Sequence, residues 1–136
     1  MNASRRAPRI GAVILVAAAL LTACGSATDT VSELVAPTAA AEVLTEQAEV
    51  VVLDVRTPAE FSEARLADAV NIDYYDADFR DQVDQLDKDT TYVVYCRSGN
   101  RSEDATNIMR DLGFAEVYEV AGGIVAWSEA GLPIER

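Results

Sequence analysis

The chain has 136 residues, half of them hydrophobic and a quarter charged, with 11 Lys+Arg against 23 Asp+Glu and no histidine. That length suits one globular domain, and the missing histidine excludes Ser-His-Asp and Cys-His catalysis, histidine zinc sites and histidine proton relays. Two cysteines are too few for a zinc finger, an iron–sulfur cluster or a disulfide scaffold, and a net charge of −12 argues against nucleic acid.

Met1–Arg9 is basic, carrying Arg5, Arg6 and Arg9, and Ile10–Leu21 is apolar. Those 12 apolar residues fall short of the roughly 20 that a spanning helix needs, so residues 1–23 read as a signal peptide. Leu21-Thr22-Ala23-Cys24 resembles the lipobox of bacterial lipoproteins. The resemblance implies that Cys24 receives a diacylglyceryl group, becomes the new amino terminus and takes further acylation such as palmitate. Two or three acyl chains, at about 0.8 kcal/mol per buried CH₂, hold a protein firmly on a bilayer. The expected location is the outer side of the cytoplasmic membrane or the periplasm, reached by general secretion or, as Ser4-Arg5-Arg6 hints, by twin-arginine export. The alternative is an ordinary cleaved signal in which Cys24 sits by chance. Removal of the signal leaves 8 basic residues against 23 acidic, a net charge of −15. Residues 24–37 are small and polar and read as a tether, with Val31–Val35 a possible short edge strand.

The expected domain covers 38–136. Thr38–Gln47 has helical spacing with Thr38 as its cap. Val50–Leu53, ending at Asp54, is a β-branched run suited to a strand buried on both faces. Thr57-Pro58-Ala59-Glu60 is a capping box with proline at the first helical position. Ala69–Ile72 is a second strand, Asp78–Leu86 a helix with Phe79, Val83 and Leu86 on one face, and Thr91–Tyr95 a third strand. Arg101–Leu112 spaces Ala105, Ile108, Met109 and Leu112 helically, and Gly113 stops it. Glu116–Val120 is a fourth strand, Gly122-Gly123 a turn, and Ile124–Ala130 a closing helix with Trp127 inward. Alternating strands and helices predict an α/β fold, a parallel sheet of about five strands with helices on both faces. Such sheets place ligands at the carboxyl ends of their strands, here at Asp54 and Cys96.

The loop Cys96-Arg97-Ser98-Gly99-Asn100-Arg101-Ser102 joins a buried strand to a helix. Gly99 permits a tight curl, Asn100 tolerates a left-handed conformation, and Ser98 and Ser102 can turn their hydroxyls inward. A curl of this kind points backbone N–H groups at one spot, beside the positive end of the following helix, and both favour a thiolate on Cys96. Lowering a thiol pKa from about 8.5 to about 7 takes about 2 kcal/mol. A helix end supplies about 0.3–1 kcal/mol, so hydrogen bonds and nearby guanidinium groups must supply the rest.

Cys96–Ser102 resembles the active-site loop of the rhodanese (sulfurtransferase) family. Asp54–Phe61 is similar to that family's upstream signature, and Ala121–Trp127 with Gly131-Leu132-Pro133 to its carboxyl-terminal one. The resemblance implies that Cys96 takes a sulfane sulfur from a small anionic donor such as thiosulfate, holds it as a persulfide and passes it to cyanide or a thiol. It also implies that the backbone of Arg97, Ser98, Gly99, Asn100 and Arg101 cradles the transferring group and that Arg97 draws in the anion. Asp54 and Arg56 would support the loop, Arg101 would bind substrate or pair with Glu60, and no cofactor or metal is required. This chain carries Ala64-Arg65-Leu66 and Asp68-Ala69 where the family has Gly-His-Ile and Gly-Ala. Other readings stay open: Cys96 as a buried structural thiol or the partner of Cys24 in a disulfide, and the domain as a weakly catalytic persulfide carrier, partner-binding or redox module. Phosphatase chemistry also stays open, although phosphatase loops place the arginine one residue further from the cysteine.

Overall fold

In the computed structural model, which describes residues 30–136, the β-branched runs form one parallel sheet. The elements in chain order are β1 (Val31–Val35), α1 (Pro37–Glu46), β2 (Val50–Asp54), α2 (Pro58–Glu63), β3 (Val70–Asn71), α3 (Phe79–Asp84), β4 (Thr91–Tyr95), α4 (Asn100–Asp111), β5 (Glu116–Val120) and α5 (Gly123–Glu129). The strand order is β1-β5-β4-β2-β3, and every pairing is parallel. The expected signal peptide and Cys24 lie outside the described residues.

β4 sits at the centre and is buried along its whole length, as its uninterrupted Thr-Tyr-Val-Val-Tyr run requires. Side chains alternate between two cores. On one face Leu53, Val55, Val94 and Cys96 pack against Phe79 and Val83 of α3 and Ala105 and Met109 of α4. On the other, Val52, Val93, Tyr95 and Val120 pack against Ala40 of α1 and Ile124 and Trp127 of α5. The in-register pairing of β2 with β4 aligns Asp54 with Tyr95, so both strands end level and Cys96 leaves the sheet beside Asp54.

Three expectations need correction. The segment read as a tether, 24–37, is a strand over the same Val31–Val35 that were read as a possible edge strand: β1 pairs with β5 from Val31 opposite Glu116 to Val35 opposite Val120. Its first four residues are exposed, so it joins the sheet through backbone hydrogen bonds rather than burial, and its composition stays that of a linker. Thr38 does not cap α1: the N-cap is Ala36 without a side-chain bond, and Pro37 at the first helical position starts the helix. The second predicted strand shortens to Val70–Asn71, because only those residues find partners, in Leu53 and Asp54. The capping box at α2 forms as expected, Thr57 and Glu60 each bonding the other's backbone N–H.

Candidate active site

Cys96 is the first residue after β4 and is 1% exposed. Its Sγ accepts the N–H of Gly99 at 3.1 Å and lies 3.4 Å from Ser102 Oγ. Gly99 holds φ +117°, a conformation only glycine adopts freely, and this bends the chain so that the N–H groups of Ser98 and Gly99, just ahead of α4, and of Ser102 in its first turn face the sulfur. Burial pushes the thiol pKa up, but hydrogen bonds from the Ser102 hydroxyl and the N–H groups of Ser102, Gly99 and Ser98 outweigh it, leaving the thiol more acidic than usual.

The carbonyls of the loop are turned away and held from beneath. Cys96 O accepts from Ile124 N at 2.9 Å and Arg97 O from Val125 N at 3.2 Å, both at the start of α5. Gly123, at φ +59°, lies directly against these carbonyls, and a Cβ there would run into both. The Gly122-Gly123 pair therefore does more than turn the chain: it lets α5 approach closely enough to hold the loop with its amides facing the sulfur.

The sulfur opens on a cavity of about 400 Å³ shared by Arg97, Ser98, Asn100 and Arg101 of the loop and by Glu60 and Tyr75 across from it. Arg101 is bound to Glu60 through two hydrogen bonds, Nη1–Oε2 at 2.7 Å and Nη2–Oε1 at 2.8 Å. This pairing holds the Glu60 carboxyl down at about 2 and raises the Arg101 guanidinium further. Glu60 also closes the α2 capping box, so the pair ties the upstream signature to the loop. Of the two loop arginines, Arg97 is exposed and makes no ion pair among the described residues, leaving its charge available to an anion.

Asp54 and Arg56 lie behind the loop and do not line this cavity. Arg56 Nε donates to both Asp54 oxygens at 3.0 Å, and its Nη2 donates to Asp54 Oδ2 and Ala64 O at 2.6 Å. The Tyr95 hydroxyl donates to Asp54 Oδ2 at 2.6 Å and accepts from Leu66 N at 3.1 Å. Burial and the Asp54 charge both push the Tyr95 hydroxyl well above its ordinary value, so it stays a donor.

Glu119 was not anticipated as part of the site. It sits on β5, 7% exposed, with Oε1 2.7 Å from Ser102 Oγ. Period-two alternation places Glu119 on the face of Val117, which looks into the core. An acid at an inward position was the signal that marked it. Ser102 turns its hydroxyl inward as its place in the loop suggested. Among the described residues no group of three or more histidine, cysteine or acidic side chains is arranged to hold a metal ion.

Residues 37–130 match the family model of the rhodanese-like domain. A sulfurtransferase of Allochromatium vinosum is 36% identical over 91 residues, covering 67% of this chain and 83% of that protein. A thiosulfate sulfurtransferase of Vibrio cholerae is 33% identical over 96 residues, 71% of this chain and 89% of its own length. The crystal structure of a rhodanese-related protein from Thermoplasma volcanium superposes with a TM-score of 0.67 at 31% identity, covering 76% of this chain and 97% of that one.

Proposed function

The chain belongs to the rhodanese-like domain family, and from that premise we propose that it is a sulfurtransferase drawing on thiosulfate or a similar anionic donor. The relatives named as sulfurtransferases support the general role. The observation that carries the finer reading is the sulfur of Cys96 receiving main-chain N–H groups on one side and opening to a cavity that Arg97 lines on the other.

The Cys96 thiolate attacks the outer sulfur of thiosulfate. A new S–S bond forms, the sulfane–sulfonate bond breaks with its electron pair leaving on sulfite, and Cys96 carries a persulfide. Cyanide or a thiolate then takes the outer sulfur and returns Cys96 as thiolate. No general base is needed if the thiol is already ionised, which suits a chain without histidine. Arg97 offsets the domain's negative field where the donor enters. A phosphoryl group is disfavoured here because Arg101, which would have to clamp it, is held by Glu60. The same reading puts the enzyme outside the cytoplasmic membrane, held by acyl chains on Cys24, and rests for that on the lipobox-like Leu21-Thr22-Ala23-Cys24.

Intact-mass measurement before and after thiosulfate tests the reading. One added sulfur on Cys96 is expected, together with the acylated terminus in protein isolated from membranes. Cys96→Ala is expected to gain no sulfur and to form thiocyanate only at the background rate, and a normal rate in that variant ends the proposal.

A further inference from the structure

Ser102 has one hydroxyl hydrogen and three neighbours that compete for it. Its Oγ lies 3.0 Å from Gly99 O, 2.7 Å from Glu119 Oε1 and 3.4 Å from Cys96 Sγ. An ionised Glu119 takes that hydrogen, and Ser102 then meets the sulfur as an acceptor, which suits a thiol. A protonated Glu119 instead donates to Ser102 Oγ and frees the Ser102 hydrogen for the sulfur, which suits a thiolate. The two arrangements differ by one proton moved along the chain Sγ–Oγ–Oε1.

The surroundings allow both. Glu119 makes no ion pair among the described residues. The charged group facing it is Glu103 of α4, its β1 neighbour is Leu34, and Ala121 and Gly122 close the site from the turn between β5 and α5. Glu33 is in register with Tyr118, on the other face of the sheet. Burial raises the Glu119 carboxyl above its ordinary value, the Ser102 bond works against this, and the Glu103 charge adds to it. The sulfur meets the N–H groups of Ser98, Gly99 and Ser102, and it shares its cavity with Arg97 and with Arg101, which is paired with Glu60. Glu119 also lines a separate cavity of about 370 Å³ with Ser98, Asn100 and Glu103, on the far side of the loop from the substrate cavity.

We propose that Glu119 is a positioning residue that shares one proton with Cys96 through Ser102, holding the thiolate best when Glu119 is protonated. The proton exchanges with solvent through the second cavity while the donor occupies the first. In the forward step the S–H bond breaks as Ser102 Oγ gains that proton, and the original Ser102 hydrogen passes to the Glu119 carboxylate. No other reactant is needed. The inference deepens the sulfur-transfer reading and rests on it only for its purpose, since it concerns the ionisation of the thiol itself.

The test is the rate at which iodoacetamide alkylates Cys96 as a function of pH, followed at the Cys96 peptide of the full chain. The wild type is expected to give a two-step profile, because two coupled groups lose their protons in sequence. Glu119→Gln, whose amide can still donate to Ser102 Oγ, is expected to give a single step about one unit lower, a tenfold gain in thiolate below the midpoint. Ser102→Ala is expected to raise the midpoint, and adding Glu119→Gln to it is expected to change nothing further. Identical profiles for wild type and Glu119→Gln overturn the proposal, as does a Glu119→Gln shift that persists without Ser102. Should Glu119→Gln fail to fold, a two-step profile in Ser102→Ala alone overturns it equally. Alkylation needs no sulfur donor, so its outcome is independent of whether thiosulfate loads Cys96.

Discussion

β2 and β4 run side by side in register, and each delivers an ionisable side chain at its carboxyl end, Asp54 from one and Cys96 from the other. Asp54 is met on both oxygens by Arg56 and on one by the Tyr95 hydroxyl, and Arg56 and Tyr95 in turn bind Ala64 O and Leu66 N. Its charge is thus spent on fixing the connection from α2 to β3. Cys96 receives its hydrogen bonds from one side and lines, on its other side, the cavity shared by Arg97 and Arg101. Two neighbouring buried ionisable groups therefore serve different ends. A charge whose partners are all protein groups holds architecture together, and one with an unfilled side can do chemistry.

The sharpest way to break this comparison is Asp54→Ala. It strands the Arg56 guanidinium in a site that is 4% exposed, and removal of one partner of a buried pair costs about 3–5 kcal/mol. A marked fall in Tm and in urea midpoint is expected, whereas the Cys96→Ala variant should unfold close to wild type. An Asp54→Ala protein of wild-type stability would erase the distinction between the two strand ends.

Glu60 and Arg101 join the two regions, and their pair gives a smaller effect with a defined pH dependence. The folded Glu60 carboxyl is depressed from 4.5 to about 2, chiefly by its hydrogen bonds with Arg101. A depressed carboxyl contributes stability that is fully present above its unfolded value and lost as pH falls through its folded value. Glu60→Gln keeps the helix cap but loses the charge. Wild type is therefore expected to exceed it by about 1–2 kcal/mol above pH 4.5, less than a fully buried pair because water screens it. The two urea midpoints should converge as pH approaches 2; a constant gap across that window would remove the ion pair as the cause.

Much of this was legible in the chain. The β-branched runs gave β2, β4 and β5 closely, and Thr57-Pro58-Ala59-Glu60 gave both the start of α2 and the residue that later meets Arg101. The thiol loop announced itself through Gly99 and its neighbours. β1 escaped a firm assignment because an exposed edge strand needs only backbone partners, and backbone partners leave no hydrophobic pattern. Glu119 escaped because an acid in a strand reads as solvent-facing until the strand's orientation is known. The role of Gly123 depends on how closely α5 approaches Cys96, a distance between segments far apart in the chain that no local pattern carries.

The smallest effect expected lies at Asp68, where this chain departs from the glycine that its family carries in the α2–β3 connection. Asp68 holds φ +57°, the sole positive φ outside glycine among the described residues, and its side chain makes no hydrogen bond or ion pair there. Aspartate tolerates this region better than most residues but still bears part of the left-handed penalty of about 1–2 kcal/mol. Glycine removes the penalty and returns part of the gain through the greater freedom of its unfolded chain. Asp68→Gly is thus expected to stabilise by about 0.5–1 kcal/mol, raising Tm by a few degrees. Removing an acid from a chain of net charge −12 also relieves repulsion, so Asp68→Ala is the necessary control: it removes the same charge but keeps a Cβ, and its Tm should fall below wild type. Because the change lies in the segment that Asp54 anchors, Cys96 should alkylate at its wild-type rate in both variants. A Tm that rises equally in the two would assign the gain to charge and leave the backbone of Asp68 unstrained.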